Sequence, residues 1–272
     1  MLSKILKLFI AGCILLAPYQ IANSKEILQK PVASCQAMAP YGIPQTSKQL
    51  VNICRTGYLI GYDQTAKIPN WVSYDLTESK VLGCQARSAS FFTDETIGAP
   101  YRSVPGDYAK TGYDIGHMAN ASDMAWSQDT ETESFLMTNM TPQKPSVNRG
   151  IWKSIETAVR TWAISRDHTL IIVSGSVYTA KSKTIKDGVV VPDAIYKVVF
   201  DTQTKTYLAF LVSQTKIPNS LQAAQVSIAD IEKAANVRIG VLPGMDKTKK
   251  EVIWDIKLSA YQKLKKQTCS AN

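Results

Sequence analysis

The sequence predicts one α+β domain built on a mixed, mainly antiparallel sheet, with extensions at both ends. A chain of 272 residues with 45% hydrophobic content is long enough to bury a sizeable core. Short runs rich in β-branched and aromatic residues occur before and after a helical pattern over residues 148–164. Charged residues make up only 19% of the chain and no internal repeat is present, which excludes a disordered chain and a repeat architecture.

The first 24 residues have the pattern of an export signal. Lys4 and Lys7 precede an apolar run over residues 8–17, and small residues at 22–24 offer a cleavage site. The apolar run is too short to span a membrane comfortably, so we expect no stable membrane insertion. Residues 10–13 also resemble a lipoprotein cleavage box, which makes a lipid anchor at Cys13 the alternative. We therefore expect an exported protein, either periplasmic or secreted.

Four cysteines remain once such a signal is removed: Cys35, Cys54, Cys84 and Cys269. An even number in an exported chain predicts two disulfides, and four cysteines allow three pairings. We favour a local Cys35–Cys54 bridge and a Cys84–Cys269 bridge that ties the C-terminal tail to the domain. No CxxC or paired Cys/His spacing is present, so we do not expect a zinc site.

The predicted boundaries follow composition and turn signals. Residues 25–55 contain several prolines, two cysteines and weak periodicity, which predict a disulfide-linked extension before a domain over residues 56–266. Residues 84–112 are rich in Pro and Gly and predict loops, and Ser227 is a predicted helix N-cap. The Lys-rich end, including the tail at 267–272, is expected to be solvated and mobile. The predicted strands span residues 57–62, 71–76, 169–174, 194–200, 206–212 and 237–242, the first two forming a hairpin around Ile68-Pro69-Asn70.

The candidate chemistry is concentrated in residues 113–160. The formal charge of +9 fits an anionic partner such as nucleic acid, although a solvated basic surface explains it equally well. His117, one of two histidines, has a side chain that can take a proton from water near neutral pH, and Gly116 would let the backbone turn tightly before it. We interpret His168, in a polar run before a strand, as a packed or surface residue.

A second group of polar residues lies on the predicted helix. Asn148, at its first turn, would either cap the helix or bind a metal ion. Glu156 follows two turns later, roughly 80° around the axis, and Arg160 lies one turn further on the same face. Taken alone, the last two could be an ordinary surface ion pair. The residues expected to face the core are Trp152, Ile155 and Val159.

Residues 113–160 resemble the active-site region of the DNA/RNA non-specific endonuclease family, of the ββα-metal (His-Me finger) superfamily. That family has an Asp-Arg-Gly-His motif, then Thr-Asn-x-x-Pro-Gln, then Asn-x-Gly-x-Trp and a Glu further along the helix. Several motifs in the same order at compatible spacing are a far more specific signal than any one of them. The matches are Asp114-Ile115-Gly116-His117, Thr138-Asn139-Met140-Thr141-Pro142-Gln143, Asn148-Arg149-Gly150-Ile151-Trp152 and Glu156.

The resemblance implies a role for each matched position. His117 would be the general base, and Asn148 the single direct protein ligand of Mg²⁺, for which Mn²⁺ could substitute. Sparse protein ligation suits Mg²⁺, which keeps much of its hydration. Glu156 would orient metal-bound water and Arg160 would bind phosphate. Gln143 would support the site. Asp114 and Asn139 would position the segment that carries the histidine.

One position departs from the family pattern, because the arginine of Asp-Arg-Gly-His is Ile115 here. A phosphate-binding cation is therefore missing at that place, and Arg87, Arg102 or Arg149 could compensate. The preferred hypothesis is an exported, Mg²⁺-dependent, sugar-non-specific endonuclease that contacts the phosphate backbone of DNA and RNA. The alternative is a catalytically weakened nucleic-acid-binding protein for capture or uptake. A homodimer is compatible with either hypothesis.

Overall fold

The computed structural model describes residues 32–270, and the predicted export signal lies outside these residues. The strands are β1 (Gln45–Thr46), β2 (Val51–Cys54), β3 (Leu59–Asp63), β4 (Ile68–Leu76), β5 (Asp114–His117), β6 (Met140–Gln143), β7 (Leu170–Val177), β8 (Ala194–Asp201), β9 (Thr206–Ser213), β10 (Gln225–Val226) and β11 (Val237–Arg238).

The α-helices are α1 (Glu78–Val81), α2 (Gln128–Ser134), α3 (Lys153–Arg166), α4 (Leu221–Ala224), α5 (Ile228–Ala235) and α6 (Leu258–Ser270). A π-helix, Val147–Trp152, leads directly into α3. Short 3₁₀ helices lie at Val32–Met38, Ala99–Tyr101, Pro105–Tyr108, Ala121–Asp123, Met137–Asn139 and Lys186–Gly188.

The core of the fold is a seven-stranded sheet in the order β10-β9-β8-β7-β4-β3-β2, in which every neighbouring pair is antiparallel. Helix α3 packs on one face, where Trp152, Ile155 and Val159 are buried as predicted. Helix α5 covers the other face through Ile228 and Ile231. The predicted α+β class with a mainly antiparallel sheet is therefore confirmed.

The predicted hairpin is present, but its turn is earlier than expected. Residues 68–70 already belong to β4, and the chain reverses at Asp63–Lys67, where Asp63 Oδ1 accepts hydrogen bonds from the backbone N–H groups of Thr65 and Ala66. Pro69 lacks a backbone N–H and lies opposite Tyr62, beside a shift in register. The proline therefore marks an irregularity within the strand and not the turn itself.

Both ends of the described chain are more closely joined to the domain than the sequence predicted. Strand β2 is an edge strand of the main sheet, although the domain boundary at residue 56 stays a prediction. The expectation of a mobile Lys-rich end was wrong, because residues 258–270 form α6, which packs against α3. Only Val237–Arg238 of the predicted late strand form a strand, paired with β1.

The structure contains both favoured disulfides, Cys35–Cys54 and Cys84–Cys269. The first joins residues 19 positions apart next to β2, and the second joins residues 185 positions apart. None of the helices found between residues 32 and 270 has the length and apolar character needed to cross a membrane.

Candidate active site

A two-stranded ribbon and the helix that follows it carry the candidate site. Strands β5 and β6 pair antiparallel, with Asp114 opposite Gln143 and His117 opposite Met140. The predicted tight turn at Gly116 was wrong, because Gly116 lies within β5. A Cβ atom there would lie 2.2 Å from Cδ of the buried Gln143. The glycine is thus required for the close approach of the Gln143 side chain beneath the histidine strand.

His117 lies in a largely apolar environment at the end of β5. The residue is 7% exposed, and its ring meets Phe135 edge to face at 4.8 Å between centroids and lies 5.5 Å from the Phe91 ring. Burial lowers the pKa of His117 to about 3, and the positive charge of Arg87 adds to this shift. Nε2 is buried without a hydrogen-bond partner among residues 32–270, which leaves Nδ1 as the candidate proton acceptor. The imidazole is therefore neutral near pH 7.

Asn139 holds the backbone two residues after His117 through hydrogen bonds to Ala119. Its Oδ1 accepts a hydrogen bond from the Ala119 backbone N–H at 2.8 Å, and its Nδ2 donates to the Ala119 carbonyl at 2.9 Å. Nδ2 also donates to the carbonyl of Ser134 at 2.8 Å. Both functions of a fully buried amide are satisfied, so its role is to hold backbone and not to react.

Asn148 does not cap the helix but lies inside the distorted turn that precedes α3. The backbone dihedrals of Gly150 are non-helical, which breaks the regular turn there. Asn148 Nδ2 donates to Asp114 Oδ2 at 2.9 Å. Because a carboxylate only accepts hydrogen bonds, Asp114 directs the amide NH₂ toward itself and leaves Oδ1 to face other groups. Asp114 thus orients the side chain of the candidate metal ligand, Asn148. The sequence analysis expected it to position the segment that carries His117.

Arg149 also binds Asp114, with bonds of 2.8 Å from Nε and 2.7 Å from Nη2. This bidentate pair and the bond from Asn148 hold the pKa of Asp114 below its usual range. The side chain of Arg149 is nevertheless 73% exposed at the rim of the site. Its charge is already shared with a carboxylate, which makes it a weaker candidate for phosphate binding than an unpaired arginine.

Glu156 is buried and only partly satisfied. Its Oε2 accepts a hydrogen bond from Asn120 Nδ2 at 2.7 Å, whereas Oε1 is enclosed with no partner in the described chain. Burial raises the pKa of Glu156, and the nearby charges of Lys197 and Arg160 oppose that shift. An unpaired buried carboxylate oxygen is costly, so a bound group that donates a hydrogen bond would relieve that cost.

Arg160 lies one turn beyond Glu156, as predicted, but it is buried and paired. Its Nη1 donates to Asp123 Oδ1 at 2.9 Å and to Asn120 Oδ1 at 3.1 Å. Although burial lowers the pKa of Arg160, the charges of Asp123 and Glu156 raise it overall. Arg160 therefore stays cationic beside the cleft while a carboxylate neutralises much of its charge.

Two residues of this network were missed by the sequence analysis. Asn120 bridges Glu156 and Arg160, and the only sequence signal was its N-cap pattern before Ser122. Lys197, on β8, is fully buried and donates to Ser174 Oγ at 2.6 Å. Burial lowers the pKa of Lys197, and the charge of Glu156 opposes that shift. No local sequence pattern indicates that Lys197, on a strand distant in sequence, lies near Glu156.

One open cleft brings most of the candidates together, and Gln143 lies buried beneath it under Gly116. Arg102 does not line the cleft, because it pairs with Glu95 and donates to the Ile97 carbonyl at 3.2 Å. The lining residues are Arg87, Ile115, His117, Asn120, Ser122, Asn148, Arg149, Lys153, Glu156 and Arg160.

The residues of the cleft fit a hydrated magnesium ion better than a fully protein-ligated one. Within residues 32–270 no group of three or more His, Cys, Asp or Glu side chains could hold a metal ion. A single amide oxygen, from Asn148, beside the partly satisfied carboxylate of Glu156 suits an ion that keeps several waters. The site could therefore hold Mg²⁺ through Asn148 with water completing its coordination.

Comparisons with known proteins find nucleases among the relatives of this chain. The human mitochondrial nuclease EXOG is 29% identical over 214 residues, which are 72% of this chain and 58% of that protein. A nuclease from Serratia marcescens is 28% identical over 211 residues, 73% of this chain and 78% of that protein. A solved EndoG/EndoGI complex, concerned with EndoG inhibition, matches with a TM-score of 0.66 and 27% identity over 78% of this chain and 92% of that chain.

The family model of the DNA/RNA non-specific endonucleases matches residues 36–245. This region contains the β5–β6 ribbon, helix α3 and every residue that lines the cleft. The chain belongs to the DNA/RNA non-specific endonuclease family.

Proposed function

We propose that the protein is a magnesium-dependent endonuclease that hydrolyses phosphodiester bonds of both DNA and RNA. The observation that carries the proposal is the convergence, in one cleft, of a buried neutral imidazole at His117, the amide of Asn148 and the partly satisfied carboxylate of Glu156. These groups supply a base, a metal ligand and a hydrogen-bond acceptor for water. Family membership and relatives named as nucleases support the same reaction.

In the proposed reaction His117 accepts a proton at Nδ1 from the water that attacks phosphorus. Its low pKa keeps the ring neutral at physiological pH, so that a ring nitrogen can accept the proton, although the same low pKa makes it an intrinsically weak base. A positioned general base contributes typically about 10²–10⁴-fold in rate. Phe135 and Phe91 hold the ring in place and exclude bulk water from one side of it.

Asn148 and Glu156 would hold a hydrated Mg²⁺ beside the histidine, with Gln143 supporting the floor of the site. The ion supplies charge neutralisation at the phosphate and at the departing oxygen. Mn²⁺ prefers similar oxygen ligands and would substitute for it. Asp114 orients the Asn148 amide through the 2.9 Å bond from Nδ2, which would leave Oδ1 free to ligate the ion.

Substrate binding in the proposal depends on backbone phosphates and not on base sequence. The cations of the cleft, Arg87, Arg149, Lys153 and Arg160, supply the positive charge, and the whole chain carries +9. Phosphate contacts position a nucleic acid without reading its sequence, which fits cleavage of both DNA and RNA. Affinity is then expected to fall steeply with salt as counterions return to the nucleic acid.

The proposed site of action is outside the cytoplasm, in the periplasm or the surrounding medium. The predicted export signal and two disulfides in the structure support it, since disulfides persist in oxidising compartments. An unselective nuclease would also endanger the cell that retained it. A lipid anchor at Cys13 remains the alternative form of export.

The first test is cleavage of plasmid DNA and of RNA by the purified protein, with Mg²⁺ and with a chelator. We expect nicking of both substrates with Mg²⁺, loss of nicking on chelation and recovery when Mg²⁺ or Mn²⁺ is restored. Cleavage that persists in excess chelator would contradict the metal dependence. Cleavage of one nucleic acid alone would contradict the lack of sugar specificity.

The replacement of the family arginine by Ile115 supports a second candidate, a nucleic-acid-binding protein with weakened catalysis. This candidate predicts salt-sensitive DNA binding that a His117→Ala substitution leaves unchanged. It also predicts no cleavage beyond background with either metal ion. Binding measured alongside the cleavage assay separates the two functions.

A further inference from the structure

We propose that helix α6 and the Cys84–Cys269 disulfide position Arg87 in the cleft, so that cleavage depends on the oxidised disulfide. The inference rests on the proposed nuclease function, but it concerns a part of the chain beyond the family match. That match ends at residue 245, whereas α6 spans Leu258–Ser270. Cys84, Lys265 and Cys269 act in this proposal as positioning residues.

The segment that leads into α6 is anchored on the helix that carries Glu156 and Arg160. The indole Nε1 of Trp162, on α3, donates to the Trp254 carbonyl at 3.0 Å, and the two indole rings meet edge to face at 5.4 Å. Tyr261, on α6, packs against the same core cluster as α3. Helix α6 is therefore fixed relative to the back of the active-site helix.

The C-terminal half of α6 holds the segment just before Arg87. Lys265 Nζ donates to the Val81 carbonyl at 2.7 Å and to the Gly83 carbonyl. An ammonium group at this place satisfies carbonyls at the end of α1. The Cys84–Cys269 disulfide, with 5.4 Å between Cα atoms, adds a covalent link one residue further along.

Only two residues, Gln85 and Ala86, lie between Cys84 and Arg87, and the backbone is held on both sides of Arg87. The Gln85 N–H donates to the Ala125 carbonyl at 2.9 Å, and the Ser88 N–H donates to Glu131 Oε1 at 2.7 Å. A displacement of Cys84 would therefore be transmitted to Arg87 over a short, constrained path.

Arg87 differs from the other arginines of the cleft in having no carboxylate partner among the described residues. Arg149 is paired with Asp114 and Arg160 with Asp123. The Arg87 guanidinium instead lies over the Phe135 ring, 4.9 Å from its centroid, and that ring packs against His117. Its charge is thus held beside the base and is available for a substrate phosphate.

The disulfide is exposed enough to be reduced in the folded protein. Cys84 is exposed and Cys269 half-buried, whereas Cys35 and Cys54 are 1% and 0% exposed. A dithiol such as dithiothreitol would deliver two electrons and two protons, break the Cys84–Cys269 Sγ–Sγ bond, leave two thiols and become a cyclic disulfide itself. Reduction would remove the covalent link while the buried bridge remains.

The test compares the full-length Cys84→Ser/Cys269→Ser variant with the wild type, with and without Arg87→Ala. We expect kcat/KM for plasmid cleavage to fall about 10- to 100-fold when the bridge is removed, because small misplacements near the chemistry have effects of this size. If the bridge acts through Arg87, its removal should have little further effect in the Arg87→Ala background. The Cys35→Ser/Cys54→Ser variant is the matched control, with losses expected to be independent of Arg87.

If removal of the bridge and Arg87→Ala lower activity by independent factors that multiply, the inference is overturned. Full activity of the Cys84→Ser/Cys269→Ser variant would also overturn it. If the variant does not fold, the wild type is reduced by dithiothreitol and reoxidised, with thiol labelling of Cys269 to show which bridge opened. Activity that falls on reduction and returns on oxidation supports the inference, and unchanged activity after complete labelling overturns it. Absence of cleavage by the oxidised wild type would overturn the proposed function and this inference together.

Discussion

Two buried carboxylates, Asp94 and Glu156, show how this fold treats scaffold and site differently. Asp94 is fully buried, and both its oxygens are satisfied: Oδ2 by Arg55 and by Thr138 at 2.6 Å, and Oδ1 by the Thr96 hydroxyl at 2.6 Å. Glu156 is almost as buried, yet its Oε1 has no partner in the part of the chain that the structure describes.

Because only Asp94 has partners at both oxygens, the pKa values of Asp94 and Glu156 are shifted in opposite directions. Although burial alone would raise it, the Arg55 charge and the hydrogen bonds hold the pKa of Asp94 below its usual range. For Glu156 burial dominates, and the pKa is raised despite Lys197 and Arg160. A buried charge with hydrogen-bond partners is compatible with a stable fold, whereas one without a partner costs free energy that a bound ligand can recover. The predictions below test this difference between scaffold and site, first at His117 and then at the carboxylates themselves.

The largest expected effect is on catalysis, from His117, which lines the same cleft as the partly satisfied Glu156. His117→Ala should lower the rate of plasmid nicking by about 10²–10⁴-fold, because the general base is removed. His168→Ala is the matched control, since His168 pairs with Asp201 and lies outside the cleft, and it should retain wild-type nicking. Equal losses in the two variants would show that His117 has no special role.

The comparison of the carboxylates is tested directly by the isosteric pair Asp94→Asn and Glu156→Gln. Asp94→Asn should lower the free energy of unfolding by about 3–5 kcal/mol, because it leaves the buried Arg55 charge uncompensated. Glu156→Gln should lower the free energy of unfolding by less than Asp94→Asn, because a Gln oxygen can still accept the Asn120 hydrogen bond and Arg160 keeps Asp123, but it should impair cleavage. Urea unfolding at pH 7 measures both variants. A stability loss for Glu156→Gln as large as for Asp94→Asn would make Glu156 a structural residue.

The pH dependence of stability should reveal the burial of His117. Its folded pKa of about 3 lies below the ordinary value of 6.5, so the unfolded chain binds the proton first as pH falls. The wild type should therefore lose on the order of 2 kcal/mol relative to His117→Ala between pH 6.5 and pH 5, with no relative change above pH 7. Parallel stability curves for the two proteins over this window would contradict the buried environment of the ring.

The smallest expected effect is a shift of the pH profile by Lys197→Met. The Lys197 charge lowers the pKa of Glu156, so its removal should raise that pKa further. The acidic limb of the cleavage profile should then move upward by about one pH unit, as expected when one nearby opposite charge is lost. Some loss of stability is expected as well, because Met removes the hydrogen bond to Ser174 and a charge that opposes the buried Glu156 carboxylate. An unchanged acidic limb would show that Glu156 does not control it.

Local patterns in the sequence predicted much of the fold and the identity of the central site residues. Residues 169–174, 194–200 and 206–212 were recognised as strands because β-branched residues and period-two alternation are properties of the local chain. The helical spacing placed Trp152, Ile155 and Val159 in the core, where the structure has them. The ordered motifs from Asp114 to Glu156 were sufficient to indicate the family.

The tertiary structure decided how these residues act on one another. In the folded chain Asp114 binds Asn148 and Arg149, and Arg102 lies outside the cleft. The Lys-rich end forms a helix that is linked to Cys84 by a disulfide. The tertiary structure also brought Asn120 and Lys197, from a 3₁₀ turn cap and a distant strand, to the network around Glu156. Sequence periodicity reports which face of one element is apolar, but burial, pKa and partner choice depend on packing between elements far apart in the chain. The residue types of the site were therefore set by the sequence alone, and their charge states and partners by the packing of the fold.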